Sequence, residues 1–213
     1  MSREHGAAGA SAVREGERRR ENREQRTLDR HPRGGGLLLA LGEQPAHERV
    51  WKRGGEGEQL VAQSLAKRCT DAVVLLHDRR VPRSRANIDH IAVAPSGVWV
   101  IDTKRHKGKV EIATPLFGSA KLKIAGRDCT GLVAGLADQV QVVRASGAVP
   151  EGVPVRGRFC FVEAELPWLG RTIAGLELMH RKSLARALNK PGELNEAAVD
   201  SIAAALVTAF PSA

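Results

Sequence analysis

Asp102 and Lys104 stand two residues apart in the stretch Val98-Trp99-Val100-Ile101-Asp102-Thr103-Lys104, and Asp89 lies just upstream in Ile88-Asp89-His90-Ile91-Ala92-Val93. Both stretches are rich in β-branched and aromatic residues, and Pro95-Ser96-Gly97 between them is turn chemistry, so the segment reads as a β-hairpin. Side chains two apart on a strand leave the same face, which puts Asp102 and Lys104 together. Whether Asp89 joins them depends on register. If Val93 faces Val98, or Ala94 faces Gly97, Asp89 falls opposite Asp102 with Cβ atoms ~5 Å apart. A three-residue loop would turn Asp89 to the other face.

Two carboxylates that close repel, and each raises the other's pKa unless a cation intervenes. A hard divalent ion such as Mg²⁺ or Mn²⁺ resolves the repulsion with oxygen ligands and retained waters. Such an ion polarises a phosphate oxygen and acidifies water. A lysine beside it can hold the attacking water or stabilise the charge that builds on phosphorus. That is the outline of phosphodiester hydrolysis. An Asp-x-Lys pair by itself is equally an ordinary strand-end ion pair. The apolar surroundings sharpen the case, because an unpaired Asp within a buried strand is costly and a metal would account for it.

The elements that must position this group can be read outward from it. Gly54-Gly55-Glu56-Gly57-Glu58 leads into Leu60, Val61, Leu65 and Ala66 at helical spacing, with Glu56 and Glu58 expected in the first turn, where the helix dipole favours acids. Residues 72–77 read as a buried strand, and residues 79–85 as a charged loop. Arg105 to Lys109 reads as a basic loop, with short strands at 110–112 and 121–124. A helix over residues 132–145 carries Gln139 within an apolar face. A strand at 155–162, another at 173–179, and helices at 183–188 and 196–210 complete the chain. Mixed elements of this kind indicate an α/β sheet covered on both faces.

The chain has 213 residues and a net charge of +9, which fits one domain plus a tail and a polyanionic partner. Four Phe, three Trp and no Tyr supply few platforms for stacking single-stranded bases. Cys69, Cys129 and Cys160 lack zinc-ligand spacing, and their odd number argues against a secreted disulfide framework, so a reducing cytoplasm is expected. No stretch approaches the length of a membrane span, and the run Leu37–Leu41 is too short for an anchor. Residues 1–46, rich in Gly, Ala, Arg and Glu, read as a disordered basic arm, closer to an inert extension than to a phosphate-binding one. The folded domain is expected over residues 47–213.

Gly54-x-x-Gly57-Glu58, Asn87-Ile88-Asp89-His90-Ile91, Pro95-Ser96-Gly97-Val98 and Val100-Ile101-Asp102-Thr103-Lys104 resemble the nuclease-related domain family, proposed relatives of the restriction-endonuclease-like superfamily. The resemblance runs from about Trp51 to about Leu188. It implies a restriction-endonuclease-like core of α/β class, in the order α-β-β-β-α-β, with a mixed central sheet flanked by helices. It also carries site roles onto Glu58, Asp89, Asp102, Lys104 and Gln139, with Glu58 joining the two aspartates as a metal ligand. The expected function is metal-dependent cleavage of nucleic acid, DNA before RNA, in repair, processing or defence. The alternatives are a non-catalytic nucleic-acid-binding module and a protein-interaction module on the same fold. Arg83, Arg85, Arg105 and Lys107 flank the site and are expected at phosphates, with a solvated loop as the equal alternative. His90 alternates to the face opposite Asp89 and is expected to be structural. Enzymes of this fold often dimerise, so a homodimer stays open.

Overall fold

The computed structural model describes residues 3–31, 46–115 and 118–213, with side chains of the second segment from residue 53 onward. The run Leu37–Leu41 lies outside the described residues. The elements are β1 (Arg3–His5), α1 (Ala10–Arg30), α2 (Ala46–Arg68), β2 (Val74–Arg80), β3 (Asn87–Ala94), β4 (Gly97–Ala113), β5 (Lys121–Ile124), β6 (Arg127–Asp128), α3 (Gly131–Arg144), β7 (Val155–Glu165), β8 (Thr172–Ile173), β9 (Leu176–His180), α4 (Arg181–Leu188) and α5 (Glu196–Ala209). From α2 through β2, β3, β4, α3 and β7 this is the expected α-β-β-β-α-β order. It is extended by β1 and α1 before the core and by the small pair β5 and β6 within it.

The described strands form one mixed nine-stranded sheet in the order β1-β2-β3-β4-β7-β9-β8, with β5 and β6 branching from β4. β2, β3 and β4 pair antiparallel, and β4–β7 and β7–β9 pair parallel. Strand parity divides the core. Ile91, Val93, Val98 and Val100 pack on one face with Leu136 and Val140 of α3 and Ile202 and Leu206 of α5. Ala92, Ala94, Trp99 and Ile101 pack on the other with Val61 and Leu65 of α2 and Leu184 and Leu188 of α4. The sheet is thus covered on both sides, as near-continuous apolar strands require.

Close helix approach depends on two glycines. A Cβ on Gly57 of α2 would lie 3.0 Å from the Arg105 Cβ of β4. A Cβ on Gly157 of β7 would lie 2.4 Å from Leu176 Cδ2 and 2.9 Å from Val140 Cγ2. Gly157→Ala is therefore expected to destabilise the fold by ~1–3 kcal/mol through overpacking, read as a lower denaturation midpoint at unchanged m-value.

Three expectations are corrected. Residues 3–31 are folded: β1 pairs parallel with β2, and α1 is a 21-residue helix. Composition alone pointed to disorder, but long-range contacts hold the segment. A Cβ on Gly9 would meet Gly55 O at 2.6 Å, and both the N–H and the hydroxyl of Ser11 donate to the Asp78 carboxylate at 2.6 Å. Deleting residues 1–31 should remove both Ser11 bonds from the Asp78 carboxylate and strip β2 of a neighbour, costing ~2 kcal/mol, or ~4–8 °C in a thermal melt. A melt identical to the full chain would mean that the segment adds nothing to the fold. Second, α2 begins at Ala46, so Glu56 and Glu58 sit in mid-helix, away from any dipole effect of the first turn. Third, Arg105–Lys109 is no loop. β4 continues through it beside β7, with a register shift between Lys104 and Lys107.

Candidate active site

The hairpin has the two-residue loop, with Ala94 facing Gly97 and Val93 facing Val98. The ladder runs as far as His90 opposite Ile101, so one further step sets Asp89 opposite Asp102. Both carboxylates leave the α3-covered face, in line with Ile91, Val93, Val98 and Val100. Lys104 follows on that face, and its ammonium lies 2.5 Å from Asp102 Oδ1. The Thr103 N–H donates to Asp89 Oδ2 at 2.7 Å. Asp89, Asp102 and Lys104 therefore form one group.

The electrostatics follow from burial and crowding. Burial, then the charge of Asp102, push Asp89 up to about 7, against Lys104 and the Thr103 N–H. Glu58 reaches toward the group from α2. Burial and the charges of Asp89 and Asp78 push it up to about 9, opposed by a hydrogen bond from the Gly9 N–H and by Lys104. Burial would lower Lys104, but Asp102, Asp89 and Glu58 together raise it. Lys104 thus keeps its proton and acts as a fixed cation. Without a metal, that single ammonium offsets several acids, two of them held above the ordinary carboxylate range.

Gln139 of α3 points at the same strand end: its amide nitrogen donates to the Asn87 carbonyl at 3.3 Å, two residues before Asp89. Its amide oxygen is buried without a hydrogen-bond partner. Among the described residues, no three His, Cys, Asp or Glu side chains converge as a ready-made metal cage. The donor set nevertheless fits a hard divalent ion held by the two aspartates and completed mainly by water, because such ions retain several waters.

Opposite the acids, His90 is fully buried and structural. Its Nδ1 lies 2.8 Å from His77 Nδ1 and its Nε2 lies 3.1 Å from the Thr103 hydroxyl, while His77 Nε2 reaches Glu4 at 3.2 Å. Burial lowers both imidazoles, so the pair is neutral. This chain packs Thr103 from behind, and Thr103 in turn fixes Asp89 by its backbone.

The flanking cations separate. Arg105 projects to the α2 face and donates to Glu163 at 2.8 Å and to Glu56 at 2.5 Å, tying α2 to β4 and β7 instead of waiting for a phosphate. Arg83, Arg85 and Lys107 are exposed. One residue absent from the sequence reading, Asp78, borders the site. Asp78 raises Glu58, and Asn87 donates to Asp78 at 3.4 Å. A charge in the otherwise buried Val74–His77 strand was the only sequence signal for Asp78.

No helix among the described residues is long and apolar enough to cross a membrane. No curated protein and no solved structure gives a match. A family match covers residues 53–127, which span most of α2, the β2–β4 hairpins, β5 and the site acids and lysine. Over this segment the chain is similar to the nuclease-related domain family, and the mixed sheet that holds it is consistent with a restriction-endonuclease-like core.

Proposed function

We propose that the chain is a divalent-metal-dependent nuclease that hydrolyses phosphodiester bonds, with DNA the favoured substrate. The observation that carries this reading is Asp89 opposite Asp102 on one face, with the Lys104 ammonium against Asp102. Asp89 and Asp102 would hold Mg²⁺ or Mn²⁺, with Glu58 as the third acid of the site. The ion would supply Lewis-acid polarisation of a phosphate oxygen and a more acidic water. Lys104, kept protonated by its neighbours, orients the attacking water and stabilises charge on the phosphorane, and it does not serve as the base. Gln139 has an unused amide oxygen to accept a hydrogen bond from that water.

A second reading, a non-catalytic nucleic-acid-binding module, draws on the lack of a convergent three-acid cage among the described residues. Incubating the full chain with plasmid, linear duplex and single-stranded DNA and with RNA, in Mg²⁺ or Mn²⁺ against EDTA, separates them. Metal-dependent cleavage supports the nuclease, and binding without cleavage in either metal supports the module. Three free cysteines, two of them buried, suit a reducing cytoplasm. A homodimer would bring two such sites to the two strands of a duplex, and sedimentation with and without DNA reads this.

A further inference from the structure

We propose that α1 and the β2–β3 loop form a sequence-independent clamp for the phosphate backbone of a nucleic acid and feed it toward Asp89; this rests on the nuclease-related reading of the site. Between these elements lies a cleft of about 620 Å³ whose lining includes five arginines, Arg14, Arg18, Arg19, Arg80 and Arg85, against one acid, Glu15. Asn87 lies at the cleft, and Asp89 is two residues further along the same strand face. The cleft therefore borders the candidate site.

Its geometry is built in. The Ser11–Asp78 bonds pin the start of α1 to β2, and Arg14 donates to the carbonyl of Ala213. The Gly9 N–H bonds Glu58, so the same helix end that forms the cleft wall touches an acid of the site. Arg18 and Arg19 both pair with the carboxylate of Glu15, which orients them at the cleft. Such exposed pairs are weak enough for a phosphate to compete.

Beyond the cleft the basic surface continues along the helix, where Arg23, Arg26 and Arg30 line a second groove. A helix of 21 residues spans about 30 Å, the length of roughly nine base pairs. The cleft lining holds no aromatic side chain, so bases have nothing to stack on and the contacts fall on phosphates. An acidic membrane is the poorer fit. A helix lying in lipid needs a continuous apolar face, and the only large hydrophobic residues exposed on α1 are Val13 and Leu28.

The test is binding of the full chain to a fluorescent duplex in EDTA, by anisotropy, across a salt series. The triple variant R18A/R80A/R85A is compared with the parent and with the equally charged control K121A/K123A/R127A on β5 and β6. The cleft variant should bind at least tenfold more weakly at moderate salt, and its slope of log K against log[salt] should shrink by about three contacts' worth, while the control stays near the parent. Equal losses in both variants would reduce the effect to net charge and overturn the clamp. So would parental binding by the cleft variant, or binding by the parent to phosphatidylserine vesicles but not to DNA. If the triple variant melts early, R85A on the exposed loop carries the test, with a slope change of about one. Because the readout is binding without metal, a catalytically silent site would leave this result standing, and an active site with a parental cleft variant would sink the clamp alone.

Discussion

Asp102→Asn is expected to abolish Mg²⁺- or Mn²⁺-supported cleavage, a loss on the order of 10³-fold or more, because an ion's charge stabilisation of several kcal/mol depends on its ligands. The metal-free variant should be as stable as the parent or more so, since a like charge facing Asp89 is gone. Metal should raise the parent's melting temperature by mass action, by ~2.7 kcal/mol at a hundredfold excess over Kd, and leave the variant unmoved. Lys104→Ala separates electrostatic from structural roles. Its ammonium is the cation against Asp102 and lowers both Asp89 and Glu58. Removing it should destabilise the apo protein, enlarge the metal-induced shift and still eliminate cleavage. An Asp102–Lys104 pair that merely braces the strand end forecasts otherwise: each single change destabilises alike, and metal shifts none of the proteins. Melting curves of the three proteins with and without metal, beside the cleavage assay, decide between the two. No metal shift and no cleavage in the parent would leave the binding-module reading in possession of the site.

The parts of the site legible in the sequence are those fixed by local periodicity. Alternation alone puts Asp102 and Lys104 on one face, whereas Asp89 joins them only in the register set by Ala94 facing Gly97, one of those that the Pro95-Ser96-Gly97 turn left open. His90 could be placed on the opposite face by the same parity, and it lies there, bonded to His77 and Thr103. What could not be read is set by pairings distant in sequence. The Arg- and Glu-rich composition of residues 10–30 has the look of a solvated arm. Its order comes from Ser11 finding Asp78, 67 residues away, and from backbone contact between Gly9 and Gly55. Arg105 lies in a basic run that looks free for phosphate until Glu56 and Glu163, 49 and 58 residues distant, are brought to either side of its guanidinium. The glycines of Gly54-Gly55-Glu56-Gly57 read as a helix start because glycine costs ~1 kcal/mol inside one. Two of them are retained in mid-helix since Gly55 takes the backbone of α1 and Gly57 takes β4.

Glu58→Gln should make the metal-free protein more stable at alkaline pH, by ~2 kcal/mol or more around pH 8, and leave it unchanged near pH 4. Burial and the charges of Asp89 and Asp78 hold the Glu58 carboxyl at about 9 against an ordinary 4.5. Below pH 4.5 the side chain is protonated in both the folded and unfolded chain, so it adds no pH dependence. Between 4.5 and about 9 the unfolded chain gives up its proton while the folded chain retains it or bears an unfavourable charge, so the parent loses stability as pH rises. Glutamine keeps an acceptor for the Gly9 N–H and removes the ionisation. The gap between variant and parent should therefore open across that window and level off above it. Asp89, raised to about 7, remains in the variant, which should retain a smaller decline between about pH 4 and 7. A divalent ion reverses the situation. By stabilising the carboxylate forms it should displace protons from Asp89 and Glu58, so adding Mg²⁺ or Mn²⁺ to the parent in weak buffer near pH 7 should release acid. Urea titrations of both proteins from pH 4 to 9, with proton release on metal addition, measure both effects. A variant less stable than the parent at pH 8 would mean that Glu58 is ionised and usefully paired in the folded protein, and that the strain assigned to the apo site is absent.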